Sequence, residues 1–149
     1  MARALRQALD ELRELAHGLY PPVLASDGLL AALKAMTRRA AIPITLESVG
    51  LERVTPPVES AAYFCCVEAV QNATKHGGGG VRVAIRLLMS DGVLSFVIAD
   101  DGCGFDARTA GRHQGLTNLR DRIEALGGRF KIGSIPDQGT TVSGEIPLD

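Results

Sequence analysis

Residues 81–106 read VRVAIRLLMSDGVLSFVIADDGCGFD, and this stretch decides the fold. Val81, Val83, Ile85 and Leu87 alternate with Arg82, Ala84 and Arg86, the period of a strand with one buried face. Asp91-Gly92 supplies a tight turn, after which Leu94, Phe96 and Ile98 resume the alternation. Strands joined by so short a turn pair antiparallel. The second strand then runs off its end into acidic residues and an irregular, glycine-rich stretch that reaches Gln114. A strand that dissolves into glycine at a sheet end is a common place for a ligand.

Working outward, Pro56-Pro57 opens a helix predicted from about Val58 to His76, since proline suits the first turn. Before it, residues 43–49 (PITLESV) alternate and read as a strand, near an edge because of Pro43. A further helix is predicted over Leu29–Ala40, with Ser26 or Asp27 placed to cap it. At the N-terminus Leu5, Leu9, Leu12, Leu15, Ala16 and Leu19 share one helical stripe, which Gly18 and then Pro21-Pro22 end. That stripe has nothing local to pack on. Downstream, Leu116, Leu119, Ile123 and Leu126 mark an amphipathic helix stopped by Gly127-Gly128. Phe130, Ile132 and Ile135 form a strand, PDQG a turn, and Thr140 to Pro147 a last strand. The order implies an α+β fold: a two-layer α/β sandwich, its helices on a face of the sheet, with an N-terminal helical segment.

Composition narrows the function. The 149 residues, 46% of them hydrophobic, can bury one core but not two full domains. A net charge of −1 provides no global field for nucleic acid or for an acidic membrane, and 4% aromatics disfavours a base-stacking surface. No apolar run reaches the length of a membrane span, and the N-terminus lacks the apolar core of a signal peptide. Cys65, Cys66 and Cys103 show no metal-ligand spacing. Adjacent Cys65 and Cys66 read as reduced core thiols, and a cytoplasmic location is expected.

Four polar clusters interrupt the pattern. In EAVQNATKHGGGG (68–80), Glu68 and Asn72 stand at i and i+4, and Asn72 and Lys75 at i and i+3, so they share a helix face. Such an oxygen pair suits Mg²⁺, which takes few protein ligands, and Lys75 adds a point charge for phosphate. A solvated helix face with a glycine terminator fits the same residues. In DDGCGFD (100–106), Gly102 and Gly104 permit close approach to a ligand, Asp100 could accept from an amine, and Asp101 is left to face solvent. An acidic tight turn fits as well. In GRHQGLTNLRDR (111–122), Gly115 precedes a helix start able to receive phosphate, while Arg120 and Arg122 read as surface charges. In DQGTTVSGEIPL (137–148), Thr140 and Thr141 stand where a strand begins.

Together, in this order, the clusters resemble the N, G1, G2 and G3 boxes of the histidine-kinase-type ATPase family, the Bergerat fold. The phrases EAVQNATKHG, DDGCGFD, GLTNLRDRIEALGG and GTTVSGEIPL are similar in particular to the catalytic domain of NarL-associated two-component sensor histidine kinases. The resemblance covers roughly Asp10 to Leu148 and implies two parts: residues 1–22 as the remnant of a dimerisation helix, and residues 23–149 as the ATP-binding catalytic domain. By resemblance the cofactors are ATP and Mg²⁺. Asn72 holds the metal, Glu68 is the catalytic acid that polarises the attacking group, and Lys75 and His76 neutralise phosphate. Asp100 accepts from the adenine amine with Thr141 nearby. Gly102 and Gly104 let the chain pass the nucleotide and start a lid, and Gly115 with Leu116 ends the lid beneath the triphosphate.

The implied activity is that of a protein histidine kinase. The γ-phosphoryl group would pass to a histidine on a dimerisation helix absent from this chain, then to an aspartate of a response regulator. The partners are therefore ATP, the phosphoacceptor domain and the regulator, with no nucleic acid and no membrane contact by this segment. Two departures stand out: His113-Gln114-Gly115 replaces the usual Gly-x-Gly, and His17, followed by Gly18, does not lie in an acceptor segment. The same fold also serves anti-sigma-factor serine kinases and non-catalytic binding modules.

Overall fold

The computed structural model describes residues 4–7, 21–104 and 114–148. Residues 4–7 are helical. The rest of the N-terminal stripe to Leu19, with His17 and Gly18, lies outside the described residues, as does the run through Gly111 and His113 expected to form a lid.

The elements follow in the order α1 (Pro22–Asp27), α2 (Leu29–Arg39), β1 (Ile44–Val49), α3 (Pro56–His76), β2 (Val83–Ser90), β3 (Val93–Asp100), α4 (Gln114–Ala125), β4 (Arg129–Ile135) and β5 (Gly139–Pro147). The strands form one sheet in the order β1-β2-β3-β5-β4. β2 and β3 make the expected hairpin, turning at Asp91-Gly92, where Asp91 has φ 54° and Gly92 φ 74°. β1 is an edge strand, as Pro43 implied, but it pairs parallel to β2, from Ile44 opposite Val83 to Val49 opposite Leu88. The intervening α3 is long enough to make that crossover.

Side-chain parity sets the layers. Val83, Ile85, Leu87, Leu94, Phe96, Ile98, Val142 and Ile146 are all buried, and they lie on the sheet face that the helices cover. α3 packs on β2, β3 and β5, while α4 packs on α3, β4 and β5. The opposite face carries the exposed Leu88, Val97 and Ile135. A sheet with one wet face explains why its strands alternate so cleanly in sequence.

Pro21-Pro22 also opens a helix: Pro21 is the N-cap of α1, with proline in its first turn. One local expectation is corrected. Neither Ser26 nor Asp27 caps α2. Its N-cap is Gly28, at φ 95° and without a side-chain cap hydrogen bond, because Ser26 and Asp27 are already spent inside α1.

Cys65 and Cys66 are fully buried in α3 and unpaired. Burial, partly offset by Arg122 and assisted by Glu68, pushes the Cys65 thiol up to about 12, and burial pushes Cys66 well above its ordinary 9.0. Unfolded thiols begin to ionise near 9.0, while the native ones stay protonated, so the native state binds more protons and stability falls as pH rises. One pH unit above that point the loss is about 1.4 kcal/mol for each thiol. Urea unfolding between pH 8.5 and 10 is expected to show this slope, and a Cys65→Ala/Cys66→Ala variant is expected to lose it.

Candidate functional site

The four clusters converge at one end of the sheet. α3 ends at His76, with Gly77 as its C-cap in right-handed geometry and the Gly77 N–H bonded to the Ala73 carbonyl at 2.9 Å. The chain leaving β3 crosses this end so closely that a Cβ on Gly102 would lie 2.7 Å from Gly77 Cα and 2.8 Å from its carbonyl oxygen. The Cys103 N–H then donates to that same carbonyl at 3.1 Å. Gly102 therefore serves the passage of one backbone over another. Gly104, at φ 64°, abuts the carbonyls of Ile135 and Gly139 in the same way.

Asp100 ends β3 on the helix-covered face, half-buried. Its Oδ1 accepts from the Gly102 N–H at 2.9 Å and from the Thr140 N–H at 3.3 Å. Both bonds fall on one oxygen, so the carboxylate is held rigidly, and among the described residues no donor reaches Oδ2. Asp101 is exposed, as expected, but it is not free: it accepts from the Arg82 N–H at 2.6 Å and pairs with the Arg82 side chain at 3.6 Å. That contact ties the start of the hairpin to its end.

The threonine beside Asp100 is Thr140. The register sets Asp100 opposite Thr140 and Ala99 opposite Thr141. Thr141 is exposed, on the face away from the helices, whereas the Thr140 hydroxyl is half-buried, 3.0 Å from that of Ser134. Strand parity was the available signal, since buried Val142 puts Thr140, and not Thr141, on the inner face.

On α3, Glu68 and Asn72 are half-buried, while Lys75 and His76 are exposed in the last turn. Two basic residues there also complement the negative end of the helix dipole. The Glu68 carboxylate lies against Gly115 at the start of α4, so close that a Cβ on Gly115 would come within 2.6 Å of Glu68 Cδ. An acid is thus set beside the positive end of a helix. Leu116 is 1% exposed, and its side chain belongs to the core. The Asn72 Nδ2 is buried and, among the described residues, has no hydrogen-bond partner. An unsatisfied buried amide costs roughly 1–3 kcal/mol, and an incoming acceptor oxygen would remove that cost. No group of three or more His, Cys, Asp or Glu among the described residues could hold a metal ion. A cation here would rest on one or two protein oxygens with ligand and water, which is the habit of Mg²⁺.

Residues 58–149 match the family model described as histidine kinase-, DNA gyrase B- and HSP90-like ATPase. The chain is 31% identical to the sensor histidine kinase MctS of Rhizobium johnstonii over 97% of its own length and 33% of that protein. It is 32% identical to the sensor protein VraS of Staphylococcus aureus over 65% of its length and 28% of that protein. The chain therefore spans about a third of the length of these relatives. Among solved structures it superposes on the histidine kinase domain of a blue-light-activated kinase from Erythrobacter litoralis with a TM-score of 0.63, at 22% identity, covering 78% of this chain and 56% of that one. On the mycobacterial sensor histidine kinase MprB the TM-score is 0.61, at 20% identity, covering 80% of this chain and 91% of that one.

Proposed function

Because the chain belongs to the histidine kinase-, DNA gyrase B- and HSP90-like ATPase family, we propose that the site binds ATP with Mg²⁺ and supplies the phosphoryl group for a sensor histidine kinase. The observation that supports this reading is the convergence itself: Asp100, Gly102 and Thr140 touch one another, Gly102 also crosses the end of α3 at Gly77, and Glu68, one helical turn from Asn72 on that helix, touches Gly115.

Asp100 receives the adenine amine on Oδ2, with its other oxygen already fixed by two backbone donors. Thr140 takes the place beside it. Asn72 offers its amide oxygen to the cation and its Nδ2, without a partner among the described residues, to a phosphate oxygen. Lys75 and His76 neutralise phosphate charge, Leu116 presents its N–H, and Glu68, beside Gly115, is the acid that polarises the attacking group. Bound Mg²⁺ supplies charge neutralisation across the phosphates. The chain supplies position and electrostatics, which is most of what phosphoryl transfer requires. The acceptor would be a histidine on a dimerisation helix, with an aspartate of a response regulator as the final recipient, in keeping with relatives named a sensor histidine kinase and a signal transduction histidine-protein kinase/phosphatase.

Calorimetric titration of this chain with ATP, with and without Mg²⁺, tests the binding. An acid-labile, alkali-stable phosphoprotein formed by the full-length protein tests the histidine assignment, and a phosphoserine product would overturn it. Asn72→Leu separates ligand role from structural role. Removing the orphaned amide is expected to leave the melting temperature unchanged or higher, while the Mg²⁺-dependent gain in ATP affinity falls about tenfold. An unchanged Mg²⁺ dependence would remove Asn72 from the site.

A further inference from the structure

The inner face of the sheet ends in a row of three polar side chains, one from each of three neighbouring strands. Asp100 of β3 stands opposite Thr140 of β5, and Thr140 stands opposite Ser134 of β4. All three are half-buried. The Thr140 N–H donates to Asp100 Oδ1 at 3.3 Å, and the Thr140 and Ser134 hydroxyls lie 3.0 Å apart. The Ser134 hydroxyl also donates to the Gly139 carbonyl at 3.3 Å.

These bonds give the Thr140 hydroxyl a direction. A hydroxyl carries one proton and two lone pairs, and a carbonyl oxygen only accepts. The bond to Gly139 therefore uses the Ser134 proton, and the bond between the hydroxyls runs from Thr140 to Ser134. Thr140 is left to meet a ligand with lone pairs alone, beside a carboxylate that also only accepts. The frame that holds this direction is backbone. Gly139, at φ 91°, is packed so closely on the Asp100 main chain that a Cβ there would overlap the Asp100 carbonyl. The turn before it is closed by the Gln138 N–H on the Ile135 carbonyl at 2.9 Å, and its Asp137 N–H donates to the Cys103 carbonyl. The Gly139 carbonyl is thus a fixed acceptor for the Ser134 proton.

We propose that Ser134 is a positioning residue for base selection: by taking the Thr140 proton it keeps Thr140 an acceptor, so the site admits a purine that carries an amine and refuses one that carries a carbonyl in its place. This rests on the nucleotide reading above and deepens it. Asp100 alone pairs with one N–H of an amine. A neighbouring hydroxyl able to rotate would turn its proton toward a carbonyl when one arrived, and would blunt the distinction. Ser134 removes that freedom, so a carbonyl meets acceptors only, and unpaired polar groups at a closed contact are costly.

Calorimetric titration of this chain with ATP and with inosine triphosphate, each with Mg²⁺, reads the ratio of the two affinities. A loss of stability or packing weakens both nucleotides alike and leaves the ratio where it was. Ser134→Ala is expected to lower the preference for ATP about tenfold, chiefly by strengthening inosine triphosphate. Ser134→Thr keeps a hydroxyl at the position and is expected to hold the parent ratio within about twofold. In a Thr140→Val background, Ser134→Ala is expected to change the ratio no further, because the serine acts only through the threonine. An unchanged or larger preference in Ser134→Ala would overturn the role of Ser134. So would a loss in Ser134→Thr as large as in Ser134→Ala, or an undiminished effect of Ser134→Ala without Thr140. Those results, in a parent that binds ATP, leave the nucleotide reading standing. A parent that binds neither nucleotide overturns that reading, and the role of Ser134 with it.

Discussion

Asp100→Asn is expected to weaken ATP binding about 100-fold, close to 2.7 kcal/mol, with the fold left standing. Asparagine keeps an oxygen in the place of Oδ1, so the Gly102 and Thr140 N–H groups, at 2.9 and 3.3 Å, retain their acceptor. The other atom changes from acceptor to amine. It then meets the adenine amine donor to donor, and a site built to pair a polar group is left with two that cannot pair. Calorimetry with ATP, and unfolding in urea as the control for stability, read the two effects apart. Equal ATP affinity in the variant and the parent would remove Asp100 from adenine recognition.

The second large effect is steric. Gly102→Ala puts a methyl group 2.7 Å from Gly77 Cα and 2.8 Å from the Gly77 carbonyl oxygen. Both are backbone atoms, so no side chain can swing aside, and the helix end must part from the strand end. The hydrogen bond from the Cys103 N–H to Gly77 goes with it. Overpacking of this kind costs roughly 1–3 kcal/mol, and the upper end is expected because the obstacle is main chain. ATP binding should fall below detection, since the separation moves Asp100 away from Asn72. Gly79→Ala is the matched control: nothing lies within 4 Å of a Cβ there, and its effect should stay within about 0.5 kcal/mol. A Gly102→Ala protein as stable as the control would show that the crossing of the two chains is looser than described.

The hairpin was legible because one face of the sheet is wet, so burial wrote itself into every second residue of β2 and β3. The parallel pairing of β1 was not, because a crossover strand carries no turn that names its neighbour. At the site, the residue types could be read and their reach could not. Asp100 and Asn72 announce themselves by chemistry, whereas the choice between Thr140 and Thr141 is one of parity. Gly102 and Gly104 read in sequence as room for a ligand, and the structure adds that each also makes room for the protein's own backbone. Ser134 gave no sign at all, since its reach to Thr140 depends on the register in which β4 meets β5.

The bond from Thr140 to Asp100 spans 40 residues of sequence and sits at the start of β5. Closures of that length form late in folding, after local hairpins and helices. A growing polypeptide can therefore shape α3 and the β2–β3 hairpin and still lack the strand that brings Thr140 to Asp100. That end of the sheet is complete only once the β4–β5 hairpin docks through β5 onto β3, so a chain short of β5 would carry the proposed nucleotide site unfinished.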